Sequence, residues 1–168
     1  MEFAVTVIGR DRVGIVADVA GRLAEQSANL TDSTMTLLRG HFAMTLICTA
    51  QATADRLREA LGDLDGDLLV SVSEIGGDGA ATTGGSSYVV SVYGADRLGI
   101  VAAVARAIAA AGGNITDLST RLTGTLYVLV AEVDLPSGVA DDLAKRLDEL
   151  GASLDVEVNL RAAEADLL

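Results

Sequence analysis

The alternation of apolar and polar residues predicts six elements in the first half of the chain. Phe3, Val5 and Val7 fall on one face of a first strand. Apolar residues at helical spacing follow, and Asp11 stands where an N-cap is expected. Arg39-Gly40 predicts a tight turn between two alternating stretches. The predicted elements are strand 2–8, a helix from Asp11 to about residue 26, strands 29–38 and 41–50, a helix capped by Thr53, and strand 68–75.

The sequence of the first predicted loop occurs twice. Gly9–Ala17 reads GRDRVGIVA, and Gly94–Ala102 reads GADRLGIVA. Across residues 9–32, 13 of 24 positions are identical at this offset, so the chain is predicted to contain two copies of one domain. The predicted parts are a first domain at 1–76, a Gly-rich linker at 77–86, a second domain at 87–160 and a C-terminal tail at 161–168.

The second copy repeats the order of elements. Its second helix is predicted to begin at Pro136-Ser137, and the inner faces of the two second helices correspond. The predicted elements are a strand through Tyr88, Val90 and Val92, a helix at 98–111, strands 114–122 and 125–135, a helix from Pro136, and strand 153–160. The inner-face residues of the second helices are Leu57, Leu61 and Leu64 in the first copy and Leu143, Leu147 and Leu150 in the second.

Each copy is therefore predicted to be a βαββαβ domain of the α+β class. Right-handed crossovers place both helices on one face of an antiparallel sheet, which is the ferredoxin-like arrangement. The stretch Leu126–Ala131 is apolar on both faces. We expect the second face to be covered by the other domain or another chain, although exposed valines are also common.

Composition excludes two classes of partner. The net charge is -12, from 12 basic and 24 acidic residues, and aromatic residues make up 3%. Nucleic-acid binding needs a positive field, and single-strand recognition needs stacking side chains, so no direct nucleic-acid partner is expected. Apolar runs are shorter than the roughly 18 residues of a membrane span, and the beginning MEFAVTVIGRDR is unlike a signal peptide. We expect a cytoplasmic protein with no membrane partner.

The residue types that carry catalysis do not converge. His41 corresponds to Leu126 in the second copy, so the fold does not require it, and we expect it to be exposed. Cys48 lies in an apolar run and is read as a small buried side chain. A lone histidine and a buried cysteine make neither a nucleophile–base pair nor a metal site. No catalytic residue, metal ligand or cofactor is therefore expected.

Two further pairs of charged residues recur in both copies. Asp32 and Asp117 are read as solvated strand carboxylates, with lining of a crevice as the alternative. Arg12 and Arg97 are expected either to pair with nearby acids or to guide an anionic ligand. Exposed ion pairs contribute only about 0–1 kcal/mol to stability. The recurrence of these aspartates and arginines is therefore not strong evidence for a structural role.

The repeated loop joins a strand end to a helix start, where backbone N–H groups lack partners and attract a carboxylate. Gly14 and Gly99 allow close approach, and Asp11 and Asp96 offer oxygen atoms to an ammonium group. Together these groups fit an α-amino acid. The alternative is structural: the aspartates are helix caps and the glycines allow tight helix–sheet packing.

Asn29 and Asn114 follow the first helix of each copy, at the opposite end of the domain from the loop. If the two domains pair side by side about a pseudo-two-fold axis, Asn114 approaches the Asp11 loop and Asn29 approaches the Asp96 loop. Such seams are frequent ligand sites. The alternative is that each asparagine is a left-handed cap at the helix end.

The order βαββαβ, with Gly-x-Asp-Arg-x-Gly-Ile-Val in the first loop and Asn-[Leu/Ile]-Thr-Asp at the second strand, resembles the ACT domain. A tandem pair is similar to the glycine cleavage system transcriptional repressor type. The resemblance implies contacts to an amino acid from the first loop and from the second strand of the neighbouring domain. The implied ligand-binding residues are Asp11, Val13, Gly14, Ile15 and Asn29 in the first copy, and Asp96, Leu98, Gly99, Ile100 and Asn114 in the second.

The resemblance implies a non-enzymatic regulatory module. It would bind a small amino acid of the glycine or serine type between its two domains. It would act on a regulatory partner protein or on its own oligomeric state, a homodimer or higher homo-oligomer, in control of amino-acid metabolism or its transcription. A second hypothesis stays open: a ligand-free adaptor that binds another protein through the open sheet face.

Overall fold

The computed structural model describes residues 1–64, 67–76 and 85–163. The chain divides into two compact units, unit 1 at Met1–Ala80 and unit 2 at Ala81–Leu168. Most of the predicted linker and of the predicted tail, and part of the turn at 65–67, lie outside the described residues.

Unit 1 has the predicted order of elements. Its strands form one antiparallel sheet in the order β2-β3-β1-β4. Phe3, Val5 and Val7 are fully buried, as the alternation predicts. The elements are β1 at Glu2–Arg10, α1 at Ile15–Glu25, β2 at Asn29–Leu38, β3 at His41–Thr49, α2 at Ala54–Gly62 and β4 at Leu69–Ile75.

Unit 2 repeats this arrangement, with the sheet order β6-β7-β5-β8. Both units are therefore ferredoxin-like βαββαβ domains of the α+β class, and the predicted fold class is confirmed. The elements are β5 at Ser86–Ala95, α3 at Ile100–Ala110, β6 at Asn114–Thr123, β7 at Leu126–Leu135, α4 at Ala140–Leu154 and β8 at Val156–Ala162.

The second helix of each unit carries its predicted inner face. Leu57 and Leu61 are fully buried in unit 1, where Leu64 packs at the border of the core. Leu143 and Leu147 are buried in unit 2, where Leu150 is at the border. Thr53 caps α2 as predicted, because its side chain accepts a hydrogen bond from the Arg56 backbone N–H at 3.3 Å.

The bounds of two elements in unit 2 differ from prediction. Helix α4 begins at Ala140 rather than at Pro136, and it continues through Leu154. The predicted strand start at Ser153 is therefore wrong, and Asp155 ends the helix in the left-handed conformation. Strand β8 begins at Val156 and extends two residues beyond the predicted end, to Ala162.

The β7 strand is apolar on both faces, as the sequence indicates. Leu129 and Ala131 are fully buried on the helix side. Val128 and Val130 are half-buried on the helix-free face. At the end of the same strand the Leu126 side chain is 48% exposed. Unit 2 therefore presents an apolar strip on the side of its sheet that carries no helix.

Gly9 and Gly94 are two of the glycines that close packing requires. A Cβ atom at Gly94 would lie 2.7 Å from Val156 Cγ1 and 3.1 Å from Val156 Cα. A Cβ atom at Gly9 would overlap the Leu68 side chain and lie 3.1 Å from the Asp67 carbonyl oxygen. Each glycine thus lets the last strand begin against β1 or β5, immediately before the repeated loop.

Gly21 lies in the middle of α1, where its position is open and a Cβ atom would meet nothing within 4 Å. We expect Gly21→Ala to raise the free energy of unfolding by about 0.5–1 kcal/mol, because alanine loses less backbone entropy in a helix. Urea denaturation followed by circular dichroism measures the change. A lower free energy of unfolding would contradict the open environment of Gly21.

None of the helices in the described part of the chain combines the length and hydropathy that crossing a membrane requires.

Candidate functional site

The repeated loop ends in a left-handed glycine in both units. Gly14 is the N-cap of α1, with φ 86°, and Gly99 is the N-cap of α3, with φ 89°. Neither helix start has a side-chain cap hydrogen bond. The prediction that Asp11 caps the helix is therefore wrong, since the chain needs three more residues after Asp11 before it turns into the helix.

The two N-cap glycines lie in open space. A Cβ atom at Gly14 or Gly99 would meet nothing within 4 Å, so the alternative of tight helix–sheet packing is wrong for these positions. Their role is conformational, because a positive φ disfavours residues with a Cβ atom. The space before each helix stays unobstructed.

The first helical turn leaves backbone donors available. The first i−4 hydrogen bonds run from Asp18 N to Gly14 O and from Ala103 N to Gly99 O, both at 2.9 Å. The N–H groups of the preceding turn have no intrahelical acceptor, although that of Ile15 donates to the Arg12 carbonyl oxygen before the helix at 3.5 Å. They carry the positive end of the helix dipole. With no side chain capping them, these donors are suited to a carboxylate.

The other predicted loop residues fall into two groups. Ile15 and Ile100 are buried, at 3% and 2% exposure, so their side chains belong to the cores and only their backbone can face a ligand. Val13 and Leu98 are fully exposed. Each is therefore an apolar group at the tip of its loop. Side chains that can reach a ligand from these loops include Asp11 and Asp96, both exposed, as well as Val13 and Leu98.

We expect Gly14→Ala to lower the free energy of unfolding by about 1 kcal/mol, because alanine is strained at a φ of 86°. Gly14→Asn should cost less, since asparagine tolerates the left-handed region. Urea denaturation of the two variants and the wild type measures both changes. Equal stability of Gly14→Ala and the wild type would contradict the conformational role.

The loop of unit 1 is joined to the β2–β3 turn. The backbone N–H of Asp11 donates to the carbonyl oxygen of Gly40 at 3.0 Å. At the same end of the sheet, Arg10 pairs in register with His41. The Asp11 loop therefore lies at the corner where β2 ends.

Asn29 lies at the other end of the same sheet. It is the first residue of β2 and pairs with Thr49, which pairs in turn with Glu2 at the start of β1. In unit 2, Asn114 pairs with Asp134 and is level with Ser87 at the start of β5. Neither unit brings its asparagine to its own loop, as the order of elements predicts.

The cap alternative for the asparagines is wrong. The left-handed residues after the first helices are Ser27, with φ 55°, and Gly112, with φ 74°. Asn29 and Asn114 are instead the first residues of strands β2 and β6, and both are exposed. Helix termination therefore does not account for an asparagine at either position.

The Asn-x-Thr-Asp motif contains a feature that sequence reasoning missed. The pairing of β2 with β3 shifts between Leu30 and Asp32, and the pairing of β6 with β7 shifts between Ile115 and Asp117. The threonine hydroxyl at each bulge donates to a carbonyl oxygen across the sheet, at 3.3 Å. The sequence signal for this bulge is a Thr two residues after the Asn in both copies. The hydrogen bond at the bulge gives this threonine a structural role.

The loop arginines make different contacts in the two units. Arg12 forms an ion pair of 2.6 Å with Asp18 in the first turn of α1. Position 103, the counterpart of Asp18, is alanine, and Arg97 pairs with Asp155 at 3.4 Å. Pairing with nearby acids is confirmed, and the first turn of α1 carries an acidic residue where that of α3 has none.

The remaining candidates for chemistry stay apart. Cys48 is fully buried, and burial raises the pKa of its thiol. His41 is exposed at the start of β3. Asp32 and Asp117 are exposed strand residues. Among the residues that the structure describes, no group of three or more His, Cys, Asp or Glu side chains could hold a metal ion.

Together, the fold and the repeated loop define a duplicated α+β module with an open helix start in each copy. A sequence model of the ACT domain matches residues 2–74 and 86–161. The chain belongs to the ACT domain family, in a tandem arrangement.

The chain is also similar to known relatives and to solved structures. A UPF0237 protein of Listeria monocytogenes is 37% identical over 75 residues, which are 43% of this chain and 84% of that protein. A UPF0237 protein of Methanopyrus kandleri is 44% identical over 71 residues, 40% of this chain and 79% of that protein. A crystal structure of a protein from Galdieria sulphuraria, whose function is unknown, has a TM-score of 0.78 at 29% identity and covers 96% of this chain and 98% of its own.

A crystal structure of a candidate glycine cleavage system transcriptional repressor has the same fold. The TM-score is 0.71 at 20% identity, with 98% of each chain covered.

Proposed function

We propose that the protein is a non-enzymatic regulatory module that binds a small amino acid of the glycine or serine type. The observation that supports this most directly is the open, uncapped helix start that occurs at the same place in both units, with an exposed aspartate three residues before each cap glycine. ACT domains as a family commonly bind such ligands, and this chain has the required groups twice.

The loop chemistry matches both ends of an α-amino acid. The ligand carboxylate accepts hydrogen bonds from the N–H groups that follow Gly14 or Gly99, where the helix dipole adds roughly 0.3–1 kcal/mol. The ligand ammonium group is held by the carboxylate of Asp11 or Asp96. Val13 and Leu98 then cover the ligand as exposed apolar groups beside these contacts.

The asparagines complete the proposed sites if the two domains pair side by side. Strands β2 and β6 are each an edge of their own sheet. In an antiparallel pairing of these edges, the start of one strand meets the end of the other, so Asn114 would approach the corner that contains the Asp11 loop. Asn29 would approach the Asp96 loop in the same way. Pairing through β4 and β8 would leave both asparagines on the far edges.

The output of the module is an altered assembly. A ligand shifts an equilibrium only by its differential affinity for two states. We propose that the bound amino acid changes either the contact with a regulatory partner protein or the homo-oligomeric state of the chain in the cytoplasm. Control of amino-acid metabolism or of its transcription is the proposed setting, and the similar fold of the candidate repressor supports it.

Isothermal titration calorimetry with each of the common amino acids tests this proposal. We expect heat of binding with glycine or serine, and a melting temperature that rises with ligand concentration. Absence of heat with all of them, together with an unchanged melting temperature, would overturn the proposal.

One observation favours a second candidate, a ligand-free adaptor. The helix-free face of unit 2 presents Tyr93, 40% exposed, in register with Val128, and Leu126 at 48% exposure. Such a surface is suited to docking another protein. In that case Leu126→Asp would remove binding to the partner while the melting temperature stays insensitive to amino acids, the opposite of the first proposal.

A further inference from the structure

The two open helix starts differ in one charged residue. The first turn of α1 carries Asp18, whereas the corresponding residue of α3 is Ala103. Side chains of a helix tilt toward its N-terminus, so the Asp18 carboxylate leans toward the backbone amides of Val16 and Ala17, which precede it. Its ion pair of 2.6 Å with Arg12, a loop residue before the cap glycine, agrees with this direction. The helix start of unit 1 therefore already has a carboxylate beside its free amides.

The arginine of each loop is held in a different place. Arg12 Nη1 donates to the carbonyl oxygen of Val13 at 3.4 Å, so its guanidinium group is folded over its own loop. Arg97 instead reaches Asp155, the residue that ends α4, at 3.4 Å. The side chains of this second pair are 51% and 89% exposed, against 33% and 44% for Arg12 and Asp18. A long and exposed ion pair contributes little, so an anionic ligand can readily attract the guanidinium group of Arg97.

These differences affect the carboxylate of a ligand bound at each helix start. An anion is stabilised at a helix N-terminus, and an acid already present in the first turn repels a second anion there. The guanidinium group of Arg12 weakens this repulsion, but it is itself engaged by Asp18. In unit 2 the corresponding amides precede the uncharged Ala103, and Arg97 lies in the same loop. Both effects favour an anionic group at the helix start of unit 2.

We propose that the chain binds an amino acid with unequal affinity at its two sites, more tightly at the Gly99 loop than at the Gly14 loop, and that Asp18 determines the difference. This inference rests on the proposed function, because it ranks the same two sites. As the ligand concentration rises, unit 2 is filled first and unit 1 follows. A chain with unequal sites therefore responds over a wider range of ligand concentration than a chain with two equal sites.

Single-site variants and an exchange of the differing residues test the ranking by calorimetry with glycine and with serine. The variant Asp96→Ala keeps the Gly14 loop intact, and Asp11→Ala keeps the Gly99 loop intact. The dissociation constant of Asp96→Ala should be about fivefold higher than that of Asp11→Ala, which is the upper end of the usual effect of a charge at a helix start. Adding Asp18→Ala to the first variant should remove the difference. Adding Ala103→Asp to the second should also remove it, by weakening the tighter site.

Asp55→Ala is the matched control. Asp55 is also an arginine-paired acid in the first turn of a helix, α2, but it lies outside the repeated loops. Added to Asp96→Ala, it should leave the dissociation constant unchanged, which separates a local effect of Asp18 from the loss of one negative charge. Thermal denaturation of every variant checks that it is folded.

The possible failures are distinguishable. Equal affinity of the two single-site variants, a tighter site at the Gly14 loop, or no effect of Asp18→Ala would each overturn the ranking and leave the proposed function intact. Loss of binding in both single-site variants would also overturn it, because the two loops would then form one site. If the wild-type chain itself gives no heat with any amino acid, the proposed function fails, and the ranking fails with it.

Discussion

Replacing Asp11 and Asp96 together by alanine is expected to weaken amino-acid binding by about 10- to 100-fold per site while leaving the melting temperature of the free protein unchanged. A hydrogen bond to a charged group contributes roughly 1.5–3 kcal/mol, and the proposed contact to the ligand ammonium group is of this kind. The unchanged stability follows from the loop geometry, because neither aspartate caps its helix. Calorimetric titration and thermal denaturation of the same preparation measure the two effects.

A charge-matched double variant, Glu74→Ala with Asp148→Ala, serves as the control. Both residues are exposed acids outside the loops, and they change the net charge of the chain by the same amount. Binding by this control should equal that of the wild type. If the Asp11/Asp96 variant binds normally, the loops do not hold the ammonium group. If it loses stability as well, the aspartates have a structural role that the helix starts do not show.

Gly94→Ala is expected to lower the free energy of unfolding of unit 2 by about 1–3 kcal/mol. The new Cβ atom would overlap the β-branched side chain of Val156 and approach its Cα atom, and overpacking of this type typically has that effect. The three tyrosines of the chain, Tyr88, Tyr93 and Tyr127, all lie in unit 2, and the chain has no tryptophan. Tyrosine fluorescence during urea denaturation therefore reports the unfolding of this unit.

Gly9→Ala is the corresponding change in unit 1 and should cost less. The overlapping atom there is the end of the Leu68 side chain, which can move. Tyrosine fluorescence should show a wild-type transition for Gly9→Ala if the units unfold independently. A Gly94→Ala variant with a wild-type tyrosine transition would contradict the close contact with Val156.

The strands and helices could be predicted because their patterns are local. Alternation placed Phe3, Val5 and Val7 on the core face, and spacing placed Leu57 and Leu61 inward. The end of helix α4 differs from prediction, because the strand predicted from Ser153 begins only at Val156. Leu154 nevertheless continues the helical spacing of the leucines before it, so the signal was present.

The loop could be predicted as a candidate site, but not in its geometry. Asp11 is a suitable cap by residue type, yet the backbone delays the helix until Ile15. Whether a glycine serves a positive φ or a close contact depends on its neighbours in space. A Cβ atom at Gly14 would meet no atom within 4 Å, whereas one at Gly94 would meet Val156, 62 residues later in the chain. The residue type alone does not distinguish the two positions.

In each unit the loop and the asparagine lie at opposite ends of the sheet. A covalent link between the two copies therefore affects how readily the loop of one copy meets the asparagine of the other. A single-copy chain with Asn29 and Asp11 at opposite ends would have to find a second chain before both groups could act on one ligand, and its response would depend on its own abundance. If two copies on one backbone pair as proposed, they do so in a unimolecular step, and the covalent link raises the effective concentration of each copy beside the other. Tethered copies are also free to diverge, as Asp18 and Ala103 already have.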